Sequence, residues 1–448
     1  MNKYDAIIIG AGLAGLGAGI RLAHYGLKVC ICERHSRIGG MNSYYHRQGM
    51  LLETGLHAMT NLARPGDPKS RPLLKMLRQL RLTLEQLKVR EQHHSLIRFP
   101  ERTLRFDNDF ATFEASVADC FPAEIDGFRR LDRMLEEFNE VNLNNHFASA
   151  RSLIGRFIKD PLLTDMLLCP TCYYGSALED DMDFSQFAIL YKSVIRQGLF
   201  RPGDGIKGWL DLLLNRYQES GGELRLNCGV SRILSKDGQV TGVLTDAGEV
   251  LSTAKVLSSA GLPETQELGE LPGDARFGRV AFFESTHVFK ELSESEETIV
   301  FFCNTERLTY RRPEPAVDVD SGILCYPHHF KFEPGDFRPP PTIKTSVLAN
   351  PARFPAEKAA AMAEVEALTV RMTGADPGNA IFRDACTPQT IVRYTGRKEG
   401  AIYGSPDKCL TGKTALQGLY VCGIDQGFLG ITGATLSGIS MANLHLLL

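Results

Sequence analysis

No stretch of this 448-residue chain stays apolar for long enough to cross a bilayer. The one early run that comes near, Ala6 to Ile20, is broken by glycines. No leader-like segment precedes it, and the eleven cysteines follow no framework spacing, so a reducing cytoplasmic setting is expected. The formal charge of -3 lacks the basic excess of a nucleic-acid binder. Repeats and heptads are missing, which leaves oligomeric state unread. No nucleophile-base pair calls for hydrolysis or acyl transfer. No metal is expected either. Cys325, His328 and His329 are close in sequence, but neighbouring residues of a strand point apart.

What the chain does have is concentrated in its first forty residues. Ala6-Ile7-Ile8-Ile9 runs into Gly10-Ala11-Gly12-Leu13-Ala14-Gly15, and Val29-Cys30-Ile31-Cys32 ends on Glu33. This is the order strand, glycine turn, helix, strand, acid. Gly10 permits the tight turn, Gly12 lets a diphosphate lie against backbone, and Gly15 lets helix pack on strand. The helix that opens at Leu13 and Ala14 points free N-H groups and a partial positive charge at that diphosphate. Glu33 follows at the distance from which such an acid reaches a ribose hydroxyl. The expected ligand is a dinucleotide.

Past the acid the chain reads Arg34-His35-Ser36-Arg37-Ile38-Gly39-Gly40-Met41-Asn42. A glycine pair so close to the acid resembles the extended FAD fingerprint of the flavin amine oxidase and phytoene desaturase superfamily, with Met41 where many members carry arginine. The resemblance implies that Arg34, Gly39, Gly40, Met41 and Asn42 lie along non-covalent FAD. It implies an adenine contact from the backbone of Val230. Near the other end, Leu419-Tyr420-Val421-Cys422-Gly423 is similar to the closing motif, in which Gly423 and Asp425 approach the ribityl chain. A helix starting near Thr432 and Gly433 then points its N-terminus at the flavin. Ile424 separates Gly423 from Asp425, whereas many relatives have the acid directly after the glycine.

Two further segments narrow the likeness. Glu53-Thr54-Gly55-Leu56-His57 and Thr387-Pro388-Gln389-Thr390 resemble stretches of the retinol saturase and carotenoid isomerase branch, with Glu53 in a position often held by aspartate. The implied fold is α/β. A Rossmann-like FAD-binding domain, a parallel sheet with a β-meander, is assembled from residues 1–60, 201–265 and 411–448. An α+β substrate domain, 61–200 and 266–410, is inserted. The implied function is FAD-dependent oxidation, reduction or isomerisation of carbon-carbon bonds in a hydrophobic isoprenoid or polyene, by hydride transfer at flavin N5. Flavin amine oxidation and non-catalytic prenyl-binding escort of Rab GTPases are the alternatives. No second dinucleotide fingerprint is present, so the electron donor or acceptor is expected to be a separate molecule.

Several features have two readings. His57 has the chemistry of a proton shuttle, or of a hydrogen-bonded structural imidazole. Phe184 to Phe200, with Tyr191, line a substrate tunnel or fill a core. Cys169 and Cys172 have redox spacing, but they lie far from the glycine turn and are expected to be structural. Between Arg71 and Arg105 bases outnumber acids, and leucines recur through the first half. Such a basic amphipathic helix either touches an anionic membrane or is a solvated helix face covering the substrate domain.

Overall fold

The structure is a computed structural model and describes residues 3–55, 58–292 and 295–447. Five short strands form a parallel sheet in the order Leu419–Val421, Val256–Ser258, Ala6–Ile9, Val29–Cys32, Glu223–Arg225. Ile8 stands opposite both Ile31 and Leu257. The strands Ala6–Ile9 and Val29–Cys32 are buried throughout, as their unbroken apolar sequence requires of a sheet covered on both faces. The helices Leu13–Ala23 and Gly430–Met441 pack closely because a Cβ at Gly438 would overlap the backbone of Ala14. Strands Val230–Lys236, Gln239–Thr245 and Val250–Ser252 form the expected meander. Its first hairpin turns at Asp237-Gly238, both at positive φ, the pair a two-residue hairpin favours.

A seven-stranded sheet makes the second body, in the order Ala380–Cys386, Phe282–Phe289, Thr342–Ala349, Val317–Cys325, Glu297–Cys303, His94–Arg98, Thr103–Phe106. One face carries the helix Lys358–Thr373, through Ala361, Val365 and Leu368. The other meets the helices Phe110–Cys120, Ile125–Glu137 and Pro161–Gly175 in the largest apolar cluster. All strands of the parallel sheet come from the segments assigned to the cofactor, and all seven of this sheet from the inserted ones.

Packing corrects some expectations and decides between the readings of others. The cut at residue 61 falls too early. Leu62, Leu73, Met76, Leu77 and Leu80 belong to one cluster with Ile8, Leu16 and Ile20, so the helix Pro72–Leu80 covers the cofactor body. Its leucines are therefore occupied, while Arg78 and Arg81 remain exposed. Phe184, Phe187 and Tyr191 fill the core and line no cavity described here. The Tyr191 hydroxyl donates to Asp132 Oδ1 at 3.0 Å. His328 and His329 sit in a turn with ring centroids 4.0 Å apart, not on a strand. Among the described residues no group of three or more histidine, cysteine or carboxylate side chains is placed to hold a metal ion. Cys169 and Cys172 are buried free thiols in the helix Pro161–Gly175, and burial pushes both thiols well up. No helix among the described residues is long and apolar enough to cross a membrane.

Candidate functional site

The glycine turn opens one end of a cavity of 1350 Å³, more than the roughly 300–1,000 Å³ of a single-ligand pocket, and large enough for a cofactor with a second molecule. Gly10, at φ 95°, makes the bend that a side chain would resist. Gly12 pairs in a bridge with Gly39, and a Cβ at Gly12 would meet nothing closer than Gly40 Cα at 4.0 Å. These glycines leave a backbone-walled groove at a helix N-terminus that no side chain caps. Glu33, 6% exposed, accepts from the Ala11 N-H at 2.7 Å and from the His35 N-H at 2.8 Å. Both oxygens keep acceptor capacity toward the cavity, which Glu33 lines. A diphosphate with its ribose fits this cradle.

Most of the residues read from sequence gather here. Gly10, Gly12, Leu13, Ala14, Glu33, Arg34, Gly39, Gly40, Met41, Asn42, Val230 and Gly423 all line the cavity. Gly15 does not, because a Cβ there would overlap Gly10 O, so its role is helix-turn packing. His57 lies outside the described residues.

The closing motif departs from expectation in two ways. Ile424 turns into the cavity, and the next residue along this 3-10 turn, Asp425, is carried to the opposite side. Asp425 is fully buried. Its carboxylate accepts from the Leu262 N-H at 2.7 Å and the Ser405 N-H at 2.8 Å, with Arg397 at 3.5 Å and Lys408 at 3.7 Å. It staples three loops together and is not among the residues that line the cavity. Burial lowers the Lys408 ammonium to about 8 despite Asp425. In the closing helix, Gly430, Ile431 and Ala434 line the cavity in place of Thr432 and Gly433. The Thr432 hydroxyl donates inward to Thr60 O at 3.3 Å, and Gly433 backs onto Phe428. The helix N-terminus still carries no side-chain cap, so its free N-H groups favour negative charge at its tip.

The far end of the cavity is walled by residues that the sequence reading passed over. Phe282 stacks on Tyr173 at 5.7 Å and meets Tyr403 edge-on at 5.8 Å. Tyr403 donates to the Tyr173 carbonyl, and the Tyr173 hydroxyl bonds Ser321 at 2.8 Å, which spends both phenols inside the protein. Burial pushes both phenols up, which disfavours the phenolate in each. Beneath them Glu53 is held by Arg201 and by the Ile206 N-H at 2.6 Å. Lys344 donates to the Glu53 carbonyl at 2.7 Å and to Glu284 at 2.8 Å. A lysine inside the strand-like run Thr342-Ile343-Lys344-Thr345-Ser346-Val347 was the available signal for this buried charge.

Residues 13–287 match the family model described as flavin containing amine oxidoreductase. Among curated proteins, the chain is 25% identical over 294 residues to prolycopene isomerase 2 of an Oncidium hybrid cultivar, covering 58% of this chain and 48% of that one. It is likewise 25% identical over 294 residues to the lycopene-forming phytoene desaturase of Pseudescherichia vulneris, covering 59% and 58%. The chain thus spans about half the length of the curated relatives it matches. Among solved structures, an oxidoreductase from Methanosarcina mazei superposes with a TM-score of 0.68 at 17% identity, covering 98% of this chain and 100% of that one. Putrescine oxidase with putrescine bound superposes at 0.63 and 14% identity, covering 98% of each. At these identities the likeness is one of fold.

Proposed function

Because this chain belongs to the flavin-containing amine oxidoreductase family, whose cofactor fits the glycine cradle, we propose that it is an FAD-dependent oxidoreductase acting on carbon-carbon bonds of a hydrophobic, polyene-like substrate. The observation that carries this reading is the continuous cavity, which runs from the cradle to a wall of aromatic faces whose hydroxyls are turned away. Bound FAD supplies two-electron chemistry, taking or giving a hydride. The chain's own work is to bind and align. Gly12, Gly40 and the N-terminus of the helix Leu13–Ala23 would hold the diphosphate, the N-terminus of Gly430–Met441 would favour negative charge on the flavin, and Glu33 would hold the ribose. Tyr173, Phe282, Tyr403 and Ile323 exclude water and keep an extended apolar molecule in one plane, so that the reacting carbon is oriented before the chemistry begins.

The matched carotenoid desaturase and isomerase support the polyene class, with desaturation, saturation and isomerisation as its possible outcomes. A separate electron donor or acceptor completes a net redox reaction. Contact with anionic lipid, if used for substrate delivery, rests on the exposed charges Arg78 and Arg81, since the apolar face of that helix is buried.

The test is to purify the protein, release and identify its cofactor, and incubate oxidised and chemically reduced holoprotein with polyenes. Stoichiometric FAD with a changed polyene spectrum is expected. FAD-loaded protein that ignores polyenes but releases hydrogen peroxide with amines would establish amine oxidation instead. Protein that cannot take up FAD would end the enzyme reading.

A further inference from the structure

The floor of the cavity beyond the cradle is the seven-stranded sheet, and strand register decides which side chains reach it. Glu284 stands opposite Ser346 and Cys386, and Thr286 opposite Lys344 and Asp384. Glu284, Thr286, Ser346 and Asp384 all line the cavity. Two residues along from Glu284 on the strand Phe282–Phe289, about 6.5 Å away, the floor turns aromatic at Phe282, and across the sheet Ile323 stands opposite Ser346. The floor therefore sets a polar patch of Glu284, Thr286, Ser346 and Asp384 beside apolar side chains at Phe282 and Ile323.

The polar patch holds one buried lysine and two carboxylates. Lys344, 5% exposed in its side chain, is held between Glu284 and the Glu53 carbonyl, and Ser346 donates to Glu284 at 3.1 Å. Burial alone would lower the Lys344 ammonium, but Glu284 beside it outweighs burial and the net direction is up. Asp384 adds a second carboxylate. One of its oxygens accepts from the Ala385 N-H at 2.8 Å, while the next basic side chain, Arg383, is paired with Glu366 at 3.2 Å. Tyr45, also on the cavity wall, hydrogen-bonds to Asp384, and its phenol is pushed up by burial and then by the charge of Asp384. A pure hydrocarbon laid on this floor would remove water from carboxylates and hydroxyls and return no hydrogen bond.

We propose that the substrate carries a hydrogen-bond-donating end group, a hydroxyl or an ammonium, seated on Asp384 and Glu284 while its apolar body lies along Phe282, Ile323 and Tyr403. This deepens the polyene reading and rests on it. Asp384 and Glu284 are then specificity-determining residues. They choose which polyene enters and in which direction it points, and they take no part in the redox step.

The test uses FAD-loaded protein and three C20 polyenes of one skeleton, ending in a methyl, a primary alcohol and a primary amine. Binding is followed by the change in the flavin's visible absorption, with FAD stoichiometry as the check on folding. The alcohol or the amine is expected to bind about tenfold or more tighter than the hydrocarbon, the worth of one hydrogen bond to a charged group. Asp384→Leu should abolish that preference and raise hydrocarbon affinity. Asp384→Asn should weaken the amine and spare the alcohol if the donor is cationic, and weaken both only slightly if it is a hydroxyl. Equal affinity for all three, or a preference that Asp384→Leu leaves intact at full FAD content, overturns the proposal and leaves the polyene reading standing. Failure of all three to bind overturns the polyene reading itself.

Discussion

At the cradle end of the cavity the groups offered to a ligand are mostly backbone, supplied by residues 10–42. At the sheet end they are side chains, brought together from Tyr45, Tyr173, Glu284, Asp384 and Tyr403. A backbone groove holds any molecule with a diphosphate, because N-H groups and a helix terminus recognise charge and little else. A floor of side chains is particular, since each strand position can be changed without moving its neighbours. One end accordingly reports the cofactor, and the other reports what this protein does with it.

The difference can be tested most severely where the two ends are joined. Asp425 ties Leu262 of the cofactor body to Ser405, Arg397 and Lys408 of the other. Asp425→Ala leaves two buried cations and two N-H groups without their partner, and should cost about 3–5 kcal/mol in urea denaturation. A loss below 1 kcal/mol would show that the two bodies hold together without this staple.

Gly12→Val sharpens the comparison from the cradle side. At φ -70°, ψ 177° a side chain is allowed, and its Cβ would meet only empty groove, so the folding cost should stay below about 1 kcal/mol. FAD affinity should fall about a hundredfold or more, because the methyl groups occupy the diphosphate's place; ~2.7 kcal/mol is the equivalent. Retained FAD in this variant would mean that the cofactor does not lie along Gly12.

A pH effect is expected from the sheet body. His328, 7% exposed, accepts from the Thr342 N-H at 3.2 Å, and burial lowers it from 6.5 to about 3. The unfolded chain therefore binds a proton between those values that the folded chain refuses, and stability is lost as pH falls through the window. Relative to His328→Asn, the native protein should lose at most about 1.4 kcal/mol per pH unit below 6.5. Parallel stability curves for the two from pH 7 to 4 would remove His328 from the account.

The smallest effect belongs to the basic helix. Arg78→Glu touches an exposed face and should change stability by less than about 0.5 kcal/mol, whereas Leu77→Ala on the buried face should cost about 2–5 kcal/mol. Vesicle sedimentation with anionic lipid checks the remaining charge contribution, about 1 kcal/mol per basic residue and sensitive to salt. Undiminished binding by Arg78→Glu/Arg81→Glu would remove the membrane contact.

The cradle was legible from residues because its parts are local. A strand, a turn, a helix and an acid within forty residues can be recognised in order, and the meander's Asp237-Gly238 turn is written in two letters. Asp425 misled because one inserted residue, Ile424, reverses which side chain faces inward, and phase around a short turn is set by packing. The leucines of Pro72–Leu80 announced an apolar face without saying what would cover it. Tyr173, Phe282 and Tyr403 carry no mark of belonging together, since their separations in the chain are long and only the packing of a helix, a strand and a loop brings them side by side. Order along the chain was enough for cofactor and family. Which side chains share the cavity floor depended on long-range pairing and on which face of each element found a partner, and neither quantity is a property of any local segment.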